Sequence, residues 1–117
     1  MYQLTDEQMI YLSRGDSCSF TLSILNGNKL VHEYYTIEQG DKIYFAIMEP
    51  NQKFENALVK KVFTYDDIDE NGNIVIQINP QDTEFLKEGV YYYMIKFTSN
   101  NDSNVETIIE KTRFFIV

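Results

Sequence analysis

A chain of 117 residues with 44% hydrophobic and 15% aromatic content is long enough to own a core and too apolar for a disordered tail. No apolar run reaches the length of a membrane helix, and the start Met1-Tyr2-Gln3-Leu4-Thr5-Asp6-Glu7 lacks the basic and apolar regions of a secretory signal, so synthesis in a cytosol is expected. Ten Lys and Arg against 18 Asp and Glu leave a formal charge of -8, which repels phosphate backbones, disfavours nucleic acid and suits a basic protein partner.

Alternation with period two dominates the chain, and no helical period is sustained. Cys18, Phe20, Leu22 and Ile24 alternate with Ser17, Ser19, Thr21 and Ser23, which predicts a half-buried strand. Asn26-Gly27-Asn28 supplies a tight turn, Leu30 to Ile37 a less regular strand, and Gln39-Gly40-Asp41 its end. Ile43, Phe45 and Ile47 form the next apolar face, opposed by Tyr44, Ala46 and Met48, and Pro50 stops that strand. Phe54 to Tyr65 is expected to be extended, with Leu58, Val62 and Phe63 buried.

Asp66 to Asn73 is a polar turn, after which Ile74, Ile76 and Ile78 alternate with Val75 and Gln77 up to Pro80. The one helical candidate is the turn Thr83–Lys87, capped by Asp82 or Thr83. Val90 to Thr98 follows as an aromatic strand with Tyr91, Tyr93, Ile95 and Phe97 on one face. Beyond the polar Asn100–Asn104 turn, Val105–Ile109 and Arg113–Val117 differ in parity, so Lys111-Thr112 reads as a bulge.

Short strands with turns at roughly 8–12-residue spacing predict an all-β fold, an antiparallel β-sandwich of about 7–9 strands. No linker or repeat divides the chain, so one domain is expected over residues 1–117. The polar turn Asp82–Glu88, then Gly89, then Tyr91-Tyr92-Tyr93 has the form of the tyrosine corner that opens the penultimate strand of an immunoglobulin-like sandwich. Cys18 has no partner for a disulfide, so such a core must hold without the inter-sheet bridge.

Few residues suggest chemistry. Asp67, Asp69 and Asn71, with Gly72 and Ile74, match the first half of a calcium loop, but Ile78 stands where the closing bidentate carboxylate belongs. A solvated hairpin turn accounts for the same residues. Arg14-Gly15-Asp16 repeats an adhesion tripeptide and is also ordinary turn chemistry before a strand. His32 is the only histidine, so every histidine-dependent mechanism must use it, and no Ser or Cys has an obvious base and orienting acid beside it in sequence. No catalytic residue or cofactor is therefore assigned, and the chain is read as a non-enzyme. Tyr34-Tyr35 and Tyr91-Tyr92-Tyr93 place aromatics on both faces of their strands, which makes Tyr34, Tyr35, Tyr44 and Tyr92 the candidate partner-binding residues.

The segments Arg14–Phe20, Gly40–Phe45, Ile74–Ile78 with Pro80–Thr83, Leu86 with Gly89–Ile95, and Glu106–Ile109 together resemble small immunoglobulin-like virion proteins of tailed bacteriophages. The order of elements is similar to the N-terminal domain of phage baseplate upper proteins. Met94 departs from the acid that the family often carries after the second tyrosine. The resemblance implies a structural subunit of the virion, made in the host cytoplasm. It would dock on capsid, baseplate or fibre proteins as a decoration, adaptor or fibre anchor, with self-association on a symmetric particle. A carbohydrate- or cell-surface-binding module is the alternative that exposed tyrosines on a β-sandwich also support.

Overall fold

The computed structural model describes residues 2–4, 9–22, 37–99 and 105–117. The expected Asn26-Gly27-Asn28 turn, the strand from Leu30 and the Asn100–Asn104 turn lie outside the described residues, although Ile37 is buried.

Alternation of apolar and polar residues favours extended chain, and eight strands form among the described residues. These are β1 (Tyr2–Leu4), β2 (Ile10–Leu12), β3 (Cys18–Leu22), β4 (Lys42–Met48), β5 (Val59–Thr64), β6 (Ile74–Ile78), β7 (Gly89–Thr98) and β8 (Val105–Ile116). Six of them make a curled sheet in the order β1-β2-β8-β7-β4-β5, and β3 pairs with β6 in a second, smaller sheet. The fold is mostly β. The larger sheet is mixed, because β2 runs parallel to β8 with Ile10 opposite Phe114, which corrects the expectation of purely antiparallel pairing. Three-residue strands are too short to show a period, so β1 and β2 escape a reading by alternation.

The apolar sides of both sheets meet in one core. Cys18, Leu22, Ile74, Ile76 and Ile78 come from the small sheet, and Ile10, Leu12, Ile43, Phe45, Ile47, Tyr93, Ile95 and Phe114 from the large one. At its centre Tyr93 lies 5.8 Å from the Phe45 ring and 6.2 Å from Phe114, edge to face with the latter. Such aromatic pairs add directional packing to plain area burial. Burial also pushes the Tyr93 hydroxyl up to about 12 and, against a smaller opposing effect of the Lys61 charge, the Cys18 thiol up to about 11.

Tyr91 closes the corner as expected: its hydroxyl donates to the Lys87 carbonyl at 2.8 Å, tying the start of β7 to the turn before it. Other local expectations shift. The helix α1 is Pro80–Thr83 rather than Thr83–Lys87, because Pro80 is suited to a first helical position and the Asn79 amide donates to Asp82 Oδ2 at 2.7 Å in a capping box. Phe54–Asn56 is a 3-10 turn, not extended chain, and the polar turn begins one residue early, as the 3-10 turn Tyr65–Asp67. In β5 the inward apolar residues are Val59 and Phe63, while Val62 faces out and is 52% exposed. The irregularity in β8 reaches Lys111 and extends further back than expected: Tyr93, Ile95 and Lys96 oppose Thr112, Ile109 and Thr107, so β8 takes up one extra residue between Ile109 and Thr112 and another between Thr107 and Ile109.

Candidate docking surface

The outward side of the larger sheet is built by registered strand positions. Tyr44 on β4 lies between Val62 on β5 and Lys96 on β7. Tyr92 on β7 lies between Met48 on β4 and Arg113 on β8. Val90 pairs with Phe115, which in turn pairs with Tyr11 on β2 and stacks on its ring at 4.4 Å with the planes 6° apart. The same face of one sheet thus holds aromatics from β2, β4, β7 and β8.

Ala46 and Met48 also point this way, yet both are fully buried and neither belongs to the main core. The β4–β5 connection folds back over this side of the sheet. The Phe54–Asn56 turn contacts β4, and the Lys96 ammonium sits 4.4 Å from the Phe54 ring centroid. From β8, Lys111 Nζ donates to the Gln52 carbonyl at 2.9 Å and reaches the Pro50 carbonyl at 3.4 Å. A cleft of about 250 Å³ remains between loop and sheet, lined by Tyr44, Phe54, Glu55, Lys96 and Val105. Val105 is 57% exposed at its mouth.

Of the four tyrosines expected to bind a partner, Tyr44 and Tyr92 share this face and are both half-buried. The four residues from Tyr92 to Lys96, Tyr44's partner, separate them by roughly 13 Å along the strands. Tyr34 and Tyr35 lie outside the described residues, as does His32. Tyr11, Phe54, Val105 and Phe115 join the face without having been singled out by sequence. Tyr11 sits on a strand too short to show a period, and Phe54 is brought in only by the folded loop.

The residues of the half calcium loop serve the backbone. Asp67 Oδ2 accepts the Thr64 amide at 2.8 Å, and Asp69 Oδ1 accepts the amides of Asn71 at 2.9 Å and Asn73 at 3.0 Å. Gly72, at φ +82°, completes this turn in a conformation that side chains resist. Among the described residues no group of three His, Cys, Asp or Glu side chains is arranged to hold a metal. Arg14-Gly15-Asp16 is likewise a turn, with the Arg14 amide on the Val117 carbonyl at 3.1 Å and the Asp16 amide on the Ser13 carbonyl at 3.0 Å.

A second, more polar cleft of about 420 Å³ lies where β4 begins and β5 ends, lined by Gln39, Gly40, Asp41, Lys42, Thr64, Tyr65 and Asp66. Asp41 is buried there and accepts the Glu38 amide at 2.8 Å, while Tyr65 is 38% exposed. No protein-family model, curated protein or solved structure matches the chain.

Proposed function

We propose that the chain is an immunoglobulin-like β-sandwich acting as a non-enzymatic docking subunit, and that it serves as a structural component of a tailed-phage virion. Two features support the sandwich. In this reading β3 and β6 correspond to strands B and E of one layer, and β4, β5, β7 and β8 to C, C′, F and G of the other. The Tyr91–Lys87 bond stands where a tyrosine corner would. Docking rests on one observation, the row of half-buried aromatics along the outward face of the larger sheet. Such rings give large, rigid contact area at little entropic cost, and repetition on a symmetric particle multiplies a modest single-site affinity. The virion assignment rests on the sequence resemblance.

The decisive experiment is immunolabelling and cryo-electron microscopy of particles grown from the genome that encodes the chain. Labelled particles, with incorporation lost in a Tyr44→Ala/Tyr92→Ala variant that still folds, are the expected result. Particles that never contain the chain would sink the virion role.

One observation favours a second reading. The polar cleft joins the exposed ring of Tyr65 to Gln39 and Asp66, a mix of stacking and hydrogen-bonding groups that suits a sugar. Glycan-array binding abolished by Tyr65→Ala would select this carbohydrate-binding alternative.

A further inference from the structure

The bulk charge of the chain and the charge of its docking face have opposite signs. Outward positions of β4, β5, β7 and β8 carry Lys42, Lys60, Lys96 and Arg113, and no Asp or Glu occupies a registered outward position there. Lys111 adds a fifth cation from the irregular stretch of β8, against Glu110 beside it and Glu55 on the overlying loop. Among the described residues none of these five cations is held in an ion pair. Lys60 donates to the Glu55 carbonyl and Lys96 rests on Phe54. All this stands on a chain whose formal charge is -8.

Resting on the docking reading above, we propose that the partner seated on this face is an acidic polypeptide, one that sets carboxylates beside apolar side chains. Carboxylates opposite Lys42, Lys60, Lys96 and Arg113 would form charge-assisted bonds around the aromatic rows. A second copy applied face to face would set these cations against their own images, which opposes two-fold self-pairing. Nucleic acid would gain the same cations but would run its phosphates past the acidic remainder of the surface. A protein partner can confine its carboxylates to the footprint. Repulsion beyond the footprint is screened within about 8 Å at physiological salt, whereas bonds excluded from water are screened far less.

The test is an NMR titration of the ¹⁵N-labelled full chain, at physiological salt, with three probes. These are a random Glu/Tyr copolymer, a random Lys/Tyr copolymer and a thymidine oligonucleotide. The Glu/Tyr polymer should shift amides of β4, β5 and β7, and Lys60→Gln/Lys96→Gln should weaken it by about tenfold with an unchanged thermal melt. Charge reversal of the same two lysines should weaken it further, and its own melt reports whether the fold survives. If the Lys/Tyr polymer takes this face and the Glu/Tyr polymer does not, the inferred acidity is overturned while docking stands. Tighter binding of the oligonucleotide overturns the inference in favour of nucleic acid. If neither polymer reaches the face, the docking reading falls with it.

Discussion

Lys61 lies 2.7 Å from Asp82 Oδ2 and 2.7 Å from the Gln77 carbonyl, so one ammonium joins the edge of the larger sheet to the smaller sheet and α1. Both side chains are largely shielded, at 19% and 22% exposure, and Asp82 Oδ2 also accepts the Asn79 amide at 2.7 Å. Asp82→Ala therefore removes a helix cap and strands a shielded cation. It should cost about 1–2 kcal/mol in urea unfolding. Lys61→Met keeps the buried stem and leaves Asp82 its cap, so it should cost less. Equal losses from both variants would show that the cap contributes nothing.

Tyr91→Phe removes one hydroxyl from a 9%-exposed residue and leaves the Lys87 carbonyl to find water. A loss of about 1 kcal/mol is expected, with the apolar packing of the ring retained. The loss should come with faster amide exchange at the start of β7. A variant as stable as the parent would mean that the corner bond only orients the turn.

Much of the architecture could be read from alternation, and the exceptions have physical causes. β3, β6 and β7 each bury one face, so period two survives in their residues. β4 hides the rule because Ala46 and Met48 are buried on the side that alternation assigns to solvent, the side on which Phe54 packs against Lys96. β5 inverts it. Lys61 takes an inward position because its ammonium reaches Gln77 and Asp82, which sends the apolar Val62 outward. Tyr44 and Tyr92 were visible as aromatics on the non-core parity of their strands. Phe115 and Tyr11 were not, since their stack exists only through the parallel β2–β8 pairing. The charge of the face was hidden in the same way. A net charge sums over the whole chain, whereas pleating sorts Lys42, Lys60, Lys96 and Arg113 onto one side.

Stability should fall in alkali, and the sign follows from burial. Cys18 titrates near 11 in the fold against about 9 when exposed, and Tyr93 near 12 against about 10. Above pH 9 the unfolded chain loses protons that the folded chain keeps, so the unfolded state gains. Each group then withdraws up to about 2–3 kcal/mol across its two-unit window, Cys18 between pH 9 and 11 and Tyr93 between 10 and 12. Cys18→Ala should lower stability at neutral pH and flatten the first part of this decline. A midpoint denaturant concentration constant from pH 8 to 11 would contradict it.

Asp69→Ala should cost about 1 kcal/mol, because Oδ1 holds two amides of the β5–β6 turn. Asp69→Asn keeps an acceptor at the same place and should be nearly silent. Melting the three proteins with and without calcium separates the two uses of this carboxylate. Backbone capping predicts the same ranking in both conditions. Ion binding predicts that calcium raises the midpoint of the parent alone and that Asn fails to substitute.

Lys111 acts as a strap from β8 to the loop that follows Met48, through the Gln52 and Pro50 carbonyls. Lys111→Met keeps the stem and removes the donor. Global stability should change by less than about 1 kcal/mol, since the bond is exposed. Local opening should respond more. The Asn56 and Ala57 amides, bonded to the Lys53 and Phe54 carbonyls at 3.0 and 3.3 Å, should exchange about fivefold faster. Met48 sulfoxide formation in dilute peroxide, followed by peptide mass spectrometry, should accelerate with them, because the buried Met48 leads directly into this loop. The half-buried Met94 on the neighbouring strand provides the internal reference. Should Met48 and Met94 accelerate together, the whole face has loosened and the strap is not specific to the loop. If neither changes, the Phe54–Lys96 contact alone holds the loop down.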